Sequence, residues 1–256
     1  MFINNFNPVA IQIFSLEIRW YSLAYIFGIL FAWVYCKKIL IKDKKISKLF
    51  DDLISYVIIG IILGGRLGYV LFYNAKYYLN NLIEIPMIWL GGMSFHGGLI
   101  GVLIATIIFS NKHNINKYIF LDLISVSAPI GIFFGRISNF INSELYGKET
   151  EVFWSVIYPK VDNLTRHPSQ IYEAIFEGLI LFLILNLLVK KNLLYKKGII
   201  SSCFLIFYSL FRFVLEFFRE PDPQVGYLII SMTMGQILSL FLFIIGIGLL
   251  LKKNEN

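Results

Sequence analysis

What most constrains this chain is a succession of apolar runs, each close to the ~20 residues a helix needs to cross a lipid bilayer. Seven such runs follow one another, over residues 20–35, 53–73, 94–110, 118–141, 171–189, 199–218 and 228–251. Hydrocarbon offers no partner for a backbone N–H or C=O, so each run is predicted to be a helix that satisfies its own hydrogen bonds. Residues 85–90 are too few to span and read as interfacial or re-entrant. Composition agrees, with 57% hydrophobic and 15% charged residues and a mean hydropathy of +0.72, outside the range of soluble globular domains. The expected fold is an all-α polytopic membrane protein, a seven-transmembrane-helix bundle in one domain over residues 1–256. Residues 1–19 form an outer arm and residues 142–170 a small segment on the outer face.

The arm has neither a basic leading region nor a small-residue cleavage site, so it does not read as a signal peptide. Ile11, Ile13, Leu16 and Ile18 alternate in part with Gln12, Ser15, Glu17 and Arg19, which suits a short strand. The formal net charge of +7 does not imply nucleic acid, because the lysines sit in short loops between apolar runs. Lys37, Lys38, Lys42, Lys44, Lys45 and Lys48 crowd the first loop, and Lys190, Lys191, Lys196 and Lys197 the fifth. The positive-inside rule therefore predicts the N-terminus outside and the C-terminus in the cytoplasm. Cys36 and Cys203 lie within apolar runs without metal-ligand spacing and read as small buried hydrophobes.

Charged groups inside spans are costly and mark function by default. With the orientation set, Arg66, Arg136 with Asn139, and Arg212 with Glu216 all fall late in inside-to-outside runs. Arg19 and Tyr21 open the first run, His96 the third and Glu173 the fifth. Polar groups from five or more helices thus share one depth, the outer half of the membrane, and a common cavity open to that face accounts for them. His96 stands among Gly91, Gly92, Gly97, Gly98 and Gly101, where missing side chains admit another helix or a ligand, and Trp89 suits the interface. Gly60, Gly64 and Gly68 bracket Arg66, and Gly131 and Gly135 precede Arg136, so close helix contacts would turn both arginines inward. Arg136 and Asn139 share a helix face, as do Tyr208, Arg212, Glu216 and Arg219. Glu173 and Glu177 stack at the same spacing, Glu173 reading as a stabiliser of a helix start capped by Ser169. Asp122 reads as touching the cytoplasmic interface. Several arginines at an outer cavity suit a phosphate, and one histidine suits proton transfer. Motifs for serine hydrolases, zinc proteases and nucleotide-driven enzymes are missing from the sequence.

Six blocks then carry a resemblance along nearly the whole chain. They are residues 63–73 (LGGRLGYVLFY), 91–101 (GGMSFHGGLIG), 135–147 (GRISNFINSELYG), 166–173 (RHPSQIYE), 211–222 (FRFVLEFFREPD) and 231–236 (SMTMGQ). In these blocks the chain resembles the bacterial prolipoprotein diacylglyceryl transferases. The resemblance implies transfer of a diacylglyceryl group from phosphatidylglycerol to the lipobox cysteine of a prolipoprotein, releasing glycerol phosphate, with neither cofactor nor metal. It implies a multi-pass protein of the cytoplasmic (inner) membrane, with the signal peptides of prolipoproteins and membrane lipids as partners. The family's essential histidine falls on His96 and its Arg-Asn pair on Arg136 and Asn139. Further functional positions fall on Tyr21, Glu144, Gly147, Tyr208, Arg212, Glu216 and Arg219.

Taken with that resemblance, His96, Arg136, Arg212 and Tyr208 are the expected catalytic residues. Arg136, Asn139, Tyr21, Glu144, Gly147, Arg66, Glu216 and Arg219 are the expected substrate-binding residues. The periplasmic segment between Gly147 and Arg166 is shorter than in many relatives. A rival reading, a transporter or flippase of an anionic lipid, needs polar groups on the inner side, where Asp122 is almost the only one.

Overall fold

The computed structural model describes residues 1–14, 16–221, 226–228 and 231–254. Ser15 of the arm, Asp222 of the fifth block and positions 229–230 of the last apolar run lie outside the described residues. Two compact units are present: Cys36–Leu121, and Met1–Tyr35 together with Asp122–Asn256.

In the first of these, helix α2 (Lys44–Phe72) begins well before the apolar run at Leu53, because Asp43 caps it. The Asp43 carboxylate accepts from the amides of Lys45 at 2.6 Å and Ile46 at 3.2 Å, satisfying donors that a helix start leaves open. After α3 (Ala75–Asn80) comes the 3-10 turn Leu82–Glu84, and residues 85–90 do not form a span but end in a second 3-10 turn, Ile88–Leu90. Helix α4 (Phe95–Lys112) follows, with the Ser94 hydroxyl accepting from Gly97 N at 3.2 Å as its cap. Helices α2 and α4 meet along glycines on both sides. A Cβ built on Gly60 would lie 2.6 Å from the Gly101 carbonyl oxygen, and one on Gly68 2.7 Å from Gly97 Cα. One on Gly64 would overlap the Gly97 carbonyl. Hydrocarbon removes the hydrophobic drive for helix association, so such close van der Waals contact must supply it. Phe109 fixes the other end of the pair, edge-on to Tyr56 at 5.0 Å and to Phe120 at 5.6 Å.

In the other unit, α1 (Trp20–Tyr35) and α5 (Lys117–Asn142) approach where a Cβ on Gly28 would stand 3.0 Å from Gly131 Cα. Gly135 has no described atom within 4 Å of where its Cβ would be, so it does not serve as the predicted contact. One continuous helical rod over residues 169–190 comprises α6 (Ser169–Glu173), a π-helical stretch Ala174–Ile180 and α7 (Leu181–Lys190). Ser169 does not cap it; its hydroxyl donates to the Leu145 carbonyl at 2.8 Å. Helix α8 (Ile199–Leu215) packs with α9 (Met234–Asn254), and Gly246 lets Ile206 in. Asp122 is not at an interface but buried: it accepts from Gly198 N at 2.6 Å, Ser201 N at 2.8 Å and the Ser201 hydroxyl at 2.5 Å. Its charge completes the start of α8 from another helix.

The arm does form strands. β2 (Val9–Ile13) pairs with β3 (Leu16–Arg19), and β1 (Phe2–Ile3) joins β4 (Val156–Ile157) and β5 (Thr165–Arg166) in the order β1-β4-β5. Among the described residues five helical stretches are long and apolar enough to cross a membrane, while α4 and α8 are shorter apolar helices. The protein is a mostly helical, polytopic membrane protein.

Candidate active site

Three arginines and three glutamates meet at one end of the helices around α5. The Arg136 guanidinium donates through Nε and Nη2 to Glu177 Oε2 at 3.3 and 3.0 Å, and its Nη1 lies 3.0 Å from Glu173 Oε2. Arg212 Nη1 donates to Glu173 Oε1 and stands 3.6 Å from Glu177 Oε1, while its Nη2 is 2.5 Å from Glu216 Oε2. Arg219 Nη1 reaches Glu173 Oε1 at 3.5 Å. Glu173 and Glu177 are wholly buried, and the arginine side chains keep only 8–15% of their surface. A lone arginine at a helix centre costs ~2.5–3.5 kcal/mol on insertion scales, so the carboxylates are what make this burial tolerable. Glu216 is held further by the Thr233 hydroxyl at 3.0 Å and has Gly235 packed against its carboxylate. Tyr208, one turn before Arg212, stacks on Phe204 and lies in the field of Glu177, Arg136 and Arg212.

A second polar group adjoins the first through α5. Asn139, buried, donates from Nδ2 to Glu144 Oε2 at 3.3 Å and to the Tyr21 hydroxyl at 3.5 Å. Asn142 donates to the other Glu144 oxygen at 3.3 Å. Glu144 is presented by a tight turn in which Ser143 and Leu145 have φ of 60° and 56°, a left-handed conformation uncommon for such residues. The turn is held because the Glu144 and Leu145 carbonyls accept from Gln170 and Ser169, at 2.6 and 2.8 Å. Gly147 earns its place sterically: a Cβ there would overlap the His167 carbonyl and stand 2.7 Å from that of Phe218. Its backbone bridges to Arg219, tying this turn to the arginine cluster.

Beyond the membrane-spanning segments, Arg166 binds Asp162 through Nη2 at 2.6 Å and holds that carboxyl below its usual range. Its guanidinium also lies over the Tyr146 ring. His167 is partly buried against Phe218 and Tyr172, and burial lowers its basicity.

Arg66 and His96 belong to the Cys36–Leu121 unit. Arg66 is 3% exposed, and its donors are taken by the chain's own carbonyls. Nε reaches Ile85 at 2.7 Å, Nη2 Glu84 at 2.7 Å, and Nη1 Gly91 at 2.5 Å and Gly92 at 3.3 Å. The guanidinium also covers the Tyr78 ring at 5.0 Å. The segment so fastened leads into α4, whose first turn carries His96 with its side chain exposed. Of the expected residues, the structure thus gathers Tyr21, Arg136, Asn139, Glu144, Gly147, Tyr208, Arg212, Glu216 and Arg219 in one unit. The partners the spacing did not reveal are Glu173 and Glu177 as bridges between helices; their signal was an acid pair inside an apolar run.

The chain matches the family model described as prolipoprotein diacylglyceryl transferase over residues 8–252. It is 52% identical to a protein of Rickettsia bellii over 251 residues, covering 97% of this chain and 95% of the relative. A protein of Rickettsia typhi is 50% identical over the full length of both, and one of Rickettsia felis 49% identical over 98% of each. All three relatives are named phosphatidylglycerol–prolipoprotein diacylglyceryl transferase.

Proposed function

The chain belongs to the prolipoprotein diacylglyceryl transferase family, and from that premise we propose how its buried cluster serves the reaction. The protein transfers the diacylglyceryl group of phosphatidylglycerol to a prolipoprotein, the first step of lipoprotein maturation. The nucleophile is the thiol of the substrate's lipobox cysteine. Its sulfur attacks the glycerol methylene bonded to phosphate oxygen; the C–S bond forms, the C–O bond breaks, and the electron pair leaves with glycerol phosphate. Arg136 and Arg212 stabilise the charge that grows on the departing phosphate, the electrostatic effect that usually contributes most. Tyr208, beside them, donates a hydrogen bond to the same oxygens. The chain Tyr21, Asn139 and Glu144 suits the hydroxyls of the glycerol head group, and His96 accepts the thiol proton. Arg66 acts at one remove, by fixing the segment that leads to His96.

The observation that carries this reading is the set of three guanidiniums held in place, inside an apolar helix assembly, by buried carboxylates. Donors fixed before the substrate arrives need no reorganisation as charge develops. Seven spans, the N-terminus outside and the active site in the outer half of the inner membrane complete the proposal. The loop lysines support it, as do five helices of spanning length and two shorter apolar helices among the described residues.

The test is mass spectrometry of a prolipoprotein reporter incubated with the purified protein and phosphatidylglycerol. A diacylglyceryl adduct on the lipobox cysteine with release of glycerol phosphate is the expected result. Loss of His96 as the proton acceptor should slow transfer by ~10²–10⁴-fold. In His96→Ala part of that loss should return as pH rises and the thiol ionises unaided, because a free cysteine has a pKa of ~8.5. A folded His96→Ala protein that transfers lipid normally, or fails equally at every pH, removes His96 from the base role.

A further inference from the structure

Among the described residues the buried cluster balances three guanidiniums, Arg136, Arg212 and Arg219, with three acids, Glu173, Glu177 and Glu216. A phosphate diester entering this group would leave one negative charge uncompensated in a place of low dielectric, which is strongly unfavourable. Geometry raises the same difficulty. The Nε–Nη2 edge of Arg136, the edge best suited to grip two phosphate oxygens, is already filled by Glu177 Oε2.

We propose that Glu177 is a second proton-carrying group of the reaction, taking up a proton as the phosphate of the lipid enters and returning it to the phosphate that leaves. This rests on the transferase reading above. Each of the three glutamates has one buried oxygen without a hydrogen bond among the described residues, but these oxygens differ in how closely a guanidinium holds them. Glu173 bridges all three arginines, its Oε2 3.0 Å from Arg136. Glu216 is fixed by the Thr233 hydroxyl and by Arg212, 2.5 Å from its Oε2. Glu177 hydrogen-bonds to Arg136 through Oε2, while its Oε1 stands 3.6 Å from the nearest guanidinium, that of Arg212, and is the least tightly held of the three. The charged and titratable groups facing it among the described residues are Arg136 from α5, Arg212 and Tyr208 from α8, and Glu173 from its own helix. Its place in the π-helical stretch Ala174–Ile180 fits the tendency of such wide turns to occur at functional sites.

The charges and protons balance. Protonation of Glu177 weakens its hold on Arg136, frees that edge for phosphate and restores neutrality to the cluster. When the C–O bond breaks, the phosphate gains a second negative charge; the Glu177 carboxyl then gives its proton to a phosphate oxygen. Glycerol phosphate leaves as a monoanion and Glu177 is again a carboxylate. The thiol proton travels separately, through His96.

Calorimetric titration with short-chain phosphatidylglycerol, in buffers of different ionisation enthalpy, reads proton uptake directly. The detergent-solubilised wild-type protein should take up close to ~1 proton per lipid bound, its affinity falling by up to about tenfold per unit rise in pH. Glu177→Gln, which keeps an oxygen for Arg136, should bind the lipid with no uptake and a flat pH dependence, and should transfer slowly once bound. His96→Asn should retain the uptake. Wild-type binding without proton uptake, uptake that persists in Glu177→Gln, or uptake abolished by His96→Asn would each overturn the assignment while leaving the transferase reading intact. A wild-type protein that does not bind phosphatidylglycerol would overturn both.

Discussion

Two buried arginines show two ways of making a guanidinium acceptable away from water. Arg66 donates hydrogen bonds to the carbonyls of residues 84, 85, 91 and 92, so its charge serves to shape a backbone segment. Arg136 meets carboxylates, which match its charge as well as its donors. Only the second kind offers a phosphate something to compete for. Outside the membrane-spanning segments His167 carries a pH dependence. Burial holds His167 below the ~6.5 of an ordinary imidazole, so between the two values the unfolded chain binds more protons than the folded one. Stability therefore rises with pH through that window and is lost as pH falls below about 6.5. The protection of the Gly147 amide, which donates to the His167 carbonyl, measured as hydrogen exchange relative to the intrinsic rate at each pH, should fall on acidification in the wild type and not in His167→Gln. An equal loss of protection in both proteins would assign the effect elsewhere.

At the level of elements, small residues decide which helices touch. Gly60, Gly64 and Gly68 on α2 meet Gly97 and Gly101 on α4 so closely that side chains would displace backbone. Gly101→Val should lower the stability of the purified protein by ~1–3 kcal/mol, the usual cost of overpacking. Gly98→Ala, whose added carbon would lie 3.7 Å from the nearest atom, should leave the melting temperature almost unchanged. Equal shifts for the two would show that the glycine face is not the contact. That face was legible in the sequence, because i,i+4 spacing of small residues has a single geometric meaning on a helix. The start of α2 was not, since hydropathy detects the apolar run at Leu53 while Asp43 caps nine residues of polar helix ahead of it. Nor were the roles of Asp122, Glu173 and Glu177 legible, because spacing reports neighbours on one helix and these carboxylates bind across helices.

For the molecule as a whole, alternation across the membrane is the testable claim. Single cysteines at Asn114 and Lys160, in a background with Cys36 and Cys203 replaced by serine, should react with impermeant reagents from opposite sides, Lys160 from outside. Labelling of both from one side would remove the proposed orientation. The class of fold was readable from hydropathy alone, since bilayer thickness sets the length of every run. The order in which the site residues occur in the chain has a consequence for biogenesis. During synthesis Arg136 enters the membrane with α5 before Glu173 and Glu177 exist, and those carboxylates arrive with the very next hydrophobic segment. Arg212, Glu216 and Thr233 follow later still. The nascent chain thus carries an uncompensated cation for the time it takes to make the 37 to 41 residues that separate Arg136 from Glu173 and Glu177. The apolar remainder of α5 must outweigh ~2.5–3.5 kcal/mol until it is matched.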